Sequence, residues 1–207
     1  MEDLLDSWVG LIGRHTDDPA AVDTGRRLLQ SWAEPHRTYH SLAHLRDILL
    51  RVDELASHAD DPDAVRLAAW YHDAVYAGLP DDEERSARRA EGELSDLGFA
   101  PELVGEVARL IRMTVTHDPA PGDRNSEVLS DADLSALAID PDRYRRNSAA
   151  IRAEYVTVSD EAFRKGRMQV LATLLQCPGV FRTEEGRRRW EAAARANLLA
   201  EMTALGG

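Results

Sequence analysis

The chain has 207 residues, a formal net charge of -12 and 43% apolar residues, enough for one domain with a continuous core. A pI near 5.0 argues against nucleic acid or an anionic membrane as a partner, because both select a basic surface, so an anionic substrate has to be met locally. Cys177 is the only cysteine, which excludes a disulfide framework and a cysteine-based zinc site, and the Met1-Glu2-Asp3-Leu4 start has no signal-peptide character, so a reduced cytoplasm is the expected setting.

Apolar residues recur at helical spacing almost throughout and no period-two strand stands out, which predicts an all-α protein. Leu4, Leu5, Trp8, Leu11 and Ile12 mark a first helix, and Leu28, Leu29 and Trp32 a second that Pro35 stops. A third follows Tyr39, and after a turn at Ala59-Asp60-Asp61-Pro62 the apolar run Ala64 to Val75 gives a fourth. Gly78-Leu79-Pro80 breaks the pattern. Glu83 to Leu97 resumes as a charged helix ending at Gly98, and Pro101 opens the next, with Leu103, Val107, Leu110 and Ile111 as its stripe. Pro119 to Ser126 reads as a loop, Val128 to Leu137 as an apolar helix carrying acids, and three more helices follow around Tyr144 to Val156, Glu161 to Leu175 and Thr183 to Leu205. No repeat or linker divides the chain, so residues 1–207 form one expected domain, with a metal-site core at about 36–140 and helices at 141–207.

The organising stretch is Tyr39 to Asp73. His40 and His44 are four apart, which on one helix puts them on one face. His72 and Asp73 interrupt a run that should be buried, and a buried carboxylate is costly unless paired or bound to metal. Asp133 repeats the anomaly. Two imidazoles and two carboxylates without thiolate suit a divalent cation: manganese, iron, magnesium, nickel or catalytic zinc. A second His-Asp dipeptide, His117-Asp118, precedes a proline at a helix end; His117 is expected either at the site, on a second metal or a phosphate, or at the surface. His15, His36 and His58 lie in polar surroundings.

The order His, His-Asp, Asp resembles the HD superfamily of metal-dependent phosphohydrolases, which are all-helical. Tyr39-His40-Ser41-Leu42-Ala43-His44 is similar to the Tyr-His-Asn-x-x-His signature of cyclic-nucleotide phosphodiesterases, and Ala132-Asp133-Leu134-Ser135 to their final Ala-Asp-Leu-Ser. The whole chain looks like a bacterial group of predicted HD phosphohydrolases, through Trp70 to Tyr76, Glu84-Arg85-Ser86-Ala87, Leu129 to Leu134, Ile151 to Tyr155 and Ala194 to Leu198. The Glu-Asp pair that follows His-Asp in alarmone hydrolases is absent, as are the consecutive histidines of cyclic-dinucleotide enzymes.

The resemblance implies an HD-type helical bundle whose metal is held by His44, His72, Asp73 and Asp133, with His40 as general acid; Asp133 is chosen over Asp131 as the last ligand because it holds the Ala-Asp-Leu-Ser position, and Asp131 is expected to orient a ligand. Asp73 counts as both ligand and catalytic residue. Arg37, Arg152 and His117 are the expected phosphate-binding groups, since a guanidinium fork makes paired charge-assisted hydrogen bonds. Glu84 and Glu154 are expected on solvated helix faces, with pairing to arginines or a second metal as the alternative. The expected activity is hydrolysis of a nucleotide or other small phosphate ester; the alternatives are a di-iron oxygenase on the same scaffold, with His117 as an added ligand, or a non-catalytic nucleotide- or metal-binding module.

Overall fold

The structure, a computed structural model, describes residues 1–206, which are helical with no strand among them. The helices are α1 (Glu2–Ile12), α2 (Ala20–Trp32), α3 (Leu42–Leu55), α4 (Pro62–Tyr71), α5 (Asp82–Asp96), α6 (Pro101–Met113), α7 (Arg124–Leu134), α8 (Pro141–Glu154), α9 (Asp160–Gln176) and α10 (Glu184–Gly206), with a 3-10 turn at Ser135–Ala138.

α4 is the central element. Asp61 starts it by accepting from the backbone N–H groups of Asp63 and Ala64 at 3.1 and 3.0 Å, and Pro62 sits where its missing N–H costs nothing. Seven of its residues, Ala64, Val65, Leu67, Ala68, Ala69, Trp70 and Tyr71, are fully buried. A helix apolar on every side must be covered on every side. α3, α6 and α7 pack directly against it, and α1 reaches it through Trp8, whose ring meets Trp70 edge-on at 5.2 Å. Trp8 in turn needs Gly25 of α2: a Cβ there would fall 2.3 Å from the indole.

The core runs without interruption from Leu4 to Leu198. Trp190, Ala194 and Leu198 of α10 belong to it, so α10 shares the core of the preceding helices. Asn197 fastens α10 to the 3-10 turn by donating to the carbonyls of Leu137 and Ile139, each at 2.9 Å. α8 and α9 are more peripheral, with Tyr144 and Leu171 as their fully buried residues. No helix among the described residues is long and apolar enough to cross a membrane.

Candidate metal centre

Two helix ends and a turn meet at the C-terminal end of α4. His44 comes from the first turn of α3, Asp133 from the last turn of α7, and His72 and Asp73 from the turn that follows Tyr71. His72-Asp73 therefore lies just beyond α4 rather than within it. The gain is directional, because the turn aims both side chains into the cluster, where adjacent helical residues would diverge by about 100°.

His44, His72 and Asp133 each offer a ligand atom, and these atoms all lie within 4.8 Å of one another. His44 Nε2 is 3.2 Å from Asp133 Oδ1, and His72 Nε2 is 4.0 Å from Asp133 Oδ2. Asp73 stands beside this triplet with Oδ2 3.2 Å from His72 Nε2. The Nδ1 of His72 is 2.9 Å from the Ala69 carbonyl; a carbonyl only accepts, so Nδ1 carries the hydrogen and Nε2 is the ligand atom. That Nε2 is buried with no hydrogen-bond partner among the described residues. An orphaned imidazole nitrogen facing two carboxylates and a second imidazole is a donor set that fits a divalent cation.

The electrostatics of the cluster are those of opposed charges held dry. Burial alone would lower the basicity of His72, but Asp73 and Asp133 outweigh it and push its pKa up to about 9. Burial would raise the Asp73 carboxyl, and the imidazoles of His72 and His40 reverse that, holding it below the usual carboxylate range. Asp133 is likewise held well below it, against burial, by hydrogen bonds from His117 and His44 and by the charge of His72.

The turn is fastened from three sides. Arg37 donates to the Asp73 carbonyl at 2.7 Å and to Glu34 at 3.0 Å, and its guanidinium carbon lies 5.6 Å from the Trp32 ring and 5.4 Å from that of Tyr76. Arg89 donates to the Ala74 carbonyl at 3.2 Å, and the Ser86 hydroxyl accepts from the Val75 N–H at 3.0 Å. Asp82 accepts from the N–H groups of Ala77 and Leu79 at 2.7 and 2.9 Å. Trp32 donates to the Trp70 carbonyl at 3.0 Å, and its ring walls both His44 and His72.

These contacts correct several sequence expectations. Arg37 is no phosphate clamp: its side chain has 0% exposure, and it holds backbone and Glu34. Arg152 bonds Asp160 and the carbonyls of Tyr155 and Val158, closing the loop after α8, and it lines a separate cavity between α8, α9 and α10. His40 does not share a helical face with His44, since α3 begins only at Leu42; it sits in the preceding turn with its ring 5.6 Å from that of His44. Asp131 orients no ligand but accepts from Arg182 N–H, Thr183 N–H and Thr183 Oγ1 at 2.7, 2.8 and 2.7 Å. It approaches so closely that a Cβ on Gly186 would fall 2.4 Å from its Oδ2. Glu84 takes the arginine-pairing alternative, binding Arg112 and Arg88.

His117 joins the cluster. It turns out of α6 with a left-handed φ of 49°, a conformation uncommon outside glycine, and its Nε2 reaches Asp133 Oδ2 at 3.3 Å while Nδ1 lies 3.3 Å from Ser130 Oγ.

Glu154 is the residue that sequence reasoning missed. Instead of a solvated face, its carboxylate has 0% side-chain exposure and accepts from the N–H groups of Tyr39 and His40 at 2.7 and 3.0 Å, from Tyr76 OH at 3.0 Å and from His40 Nδ1 at 2.6 Å. Burial would raise its pKa, but these donors, led by His40, pull it down to about 2. The available signal was weak: a carboxylate at the end of α8, 114 residues from its partner, in a helix whose one other acid, Asp142, faces water.

No protein-family model, curated protein or solved structure matches this chain.

Proposed function

We propose that the chain is a metal-dependent phosphohydrolase, and more particularly one that cleaves a small phosphate monoester or nucleotide in the cytoplasm, where its free Cys177 stays reduced. The observation that carries the reading is the meeting of His44, His72 and Asp133 within 4.8 Å, with Asp73 against His72 and a separately held histidine next to them. A divalent cation bound there supplies charge neutralisation for a phosphate and a water acidified toward neutral pH.

The chain's own groups do the rest. His72 presents Nε2 because Ala69 occupies Nδ1, and Arg37 and Arg89 keep the turn from swinging away by holding the Asp73 and Ala74 carbonyls. Glu154 occupies Nδ1 of His40, which leaves Nε2 to hand a proton to a leaving oxygen, and the carboxylate stabilises the imidazolium before that transfer. Trp32 and Tyr39 flank His44 and limit the water around it.

The test is phosphate release by chain reconstituted separately with manganese, iron, magnesium, nickel and zinc, beside His40→Ala. The reading expects metal-dependent release, with kcat reduced by roughly 10²–10⁴ in the variant and its metal content unchanged. Metal bound with no phosphate released from any ester contradicts it. Iron with oxygen uptake would transfer the site to the oxygenase reading, in which His117 against Asp133 is the added ligand; nucleotide binding without turnover would transfer it to the binding module.

A further inference from the structure

Two members of the cluster, His44 and Asp133, line a cavity of about 300 Å³ between α3, α7 and α8, at the small end of the roughly 300–1,000 Å³ typical of ligand pockets. His44 and Asp133 form one end. Away from them α3 contributes Asp47 and Arg51 and α8 contributes Arg143 and Asn147, each pair four residues apart and so on one helical face. His44 and Arg51 are seven positions apart, two turns along the same face, which is about 10 Å of helix axis.

Neither arginine is used up by the protein. Arg51 gives Nη1 to both oxygens of Glu54 at 2.7 and 2.8 Å and lies 5.9 Å from the Trp190 ring, while its Nε and Nη2 make no hydrogen bond among the described residues. Arg143 gives Nη2 to Asp47 at 3.0 Å, and its Nε and Nη1 make none. Each guanidinium is steadied on one edge by a carboxylate and keeps donors for a ligand in the cavity it lines. On a chain of net charge -12, two arginines with spare donors beside a cation-binding cluster form a local site for anions.

We infer that the cavity selects a phosphate monoester carrying a second anionic group at its far end, the phosphate lying at the His44 and Asp133 end and the distal carboxylate or phosphate between Arg51 and Arg143. This rests on the phosphohydrolase reading of the same cluster. It makes Arg51 and Arg143 specificity residues, with Asn147 as a neutral donor beside them.

The test uses three open-chain esters on manganese-loaded chain: sorbitol 6-phosphate, whose far end is neutral; 6-phosphogluconate, which has a carboxylate there; and hexitol 1,6-bisphosphate, which has a phosphate. Affinity is read from the ligand-dependent rise in melting temperature, and kcat/KM from phosphate release. The inference expects at least one of the two doubly anionic esters to be preferred over sorbitol 6-phosphate by roughly tenfold or more, the gain expected of a hydrogen-bonded charge pair, and which one gains tells carboxylate from phosphate. In Arg51→Gln/Arg143→Gln the preference should shrink to within about twofold, a change in the ratio of matched ligands that loss of fold would not produce. Equal affinity for all three in the native chain, or a preference that survives in the double variant, overturns it. Hydrolysis of p-nitrophenyl phosphate, which has no anionic tail, separates the two readings. Turnover of that ester without a tail preference defeats this inference alone, whereas a tail preference without turnover of any ester defeats the phosphohydrolase alone.

Discussion

Two His-Asp dipeptides sit in corresponding places, each just past a helix, and the fold treats them differently. After α4, His72 and Asp73 are both turned inward, with 2% and 14% side-chain exposure, and Arg37, Arg89 and Ser86 hold the backbone that carries them. After α6, His117 reaches Asp133, but Asp118 is 76% exposed and pairs with Arg182 at 2.9 Å. The same two letters make a buried pair of candidate ligands in one case and one cluster member with a surface acid in the other. What separates them is how many elements converge on the turn, since a buried charge persists only where its surroundings compensate it.

The sharpest way to break this contrast is to delete one acid from each dipeptide. Asp73→Ala is expected to take phosphate release to background and to weaken metal binding by roughly 100-fold or more, since the binding free energy of a metal site is shared among a few ligands. Asp118→Ala should leave metal affinity within about twofold. Metal titration by calorimetry on both variants checks this, and equal losses would erase the distinction. The next effect concerns His40, whose orientation depends on a carboxylate from α8. Glu154→Gln keeps the size but loses the charge, so kcat should fall roughly 10–100-fold with little change in metal content. A KM effect with unchanged kcat would mean that Glu154 only shapes the cavity.

The fastenings differ as well as the ligands. Arg37→Ala leaves carbonyls that it held unpaired in a buried place and is expected to destabilise the chain by about 2–4 kcal/mol in urea. Arg182→Ala, which frees an exposed acid, should cost about 0–1 kcal/mol. The smallest and most diagnostic effect is in pH. Without metal, His72 is held protonated up to about 9, above its ordinary 6.5, so its contribution to stability is complete below pH 6.5 and is lost as pH rises through about 9. A cation needs the same Nε2 deprotonated, so metal affinity should instead rise by roughly tenfold per unit between pH 7 and 9. Melting curves with and without manganese should therefore move in opposite directions over that range; parallel curves would remove His72 from the ligand set.

Much of this was legible in the chain. The helical periods mark the α-helices, because a buried stripe repeats every third or fourth residue, and Pro101 marks the start of α6, whereas Pro62, read as part of a turn, already opens α4 two residues before the apolar run at Ala64. The unbroken apolar run into His72 identified the most buried element, and Asp133 stood out as an acid in an apolar helix. The remainder was hidden for physical reasons. Whether His40 lay on α3 or before it depended on where the first turn closed, which spacing does not determine. An arginine reads the same whether its fork faces a phosphate or, like Arg37, a backbone carbonyl. Glu154 lies in a helix with little buried surface, and only the long-range packing of α8 against the Tyr39-His40 turn turns it inward.

His44, His72, Asp73 and Asp133 are expected to hold one cation. The most direct measurement is anomalous scattering from crystals grown with manganese. A strong peak is expected within ligand distance of His44, His72 and Asp133, with Asp73 completing the shell, and it should disappear in Asp133→Ala. A peak elsewhere on the chain, or none where manganese is bound in solution, would contradict it.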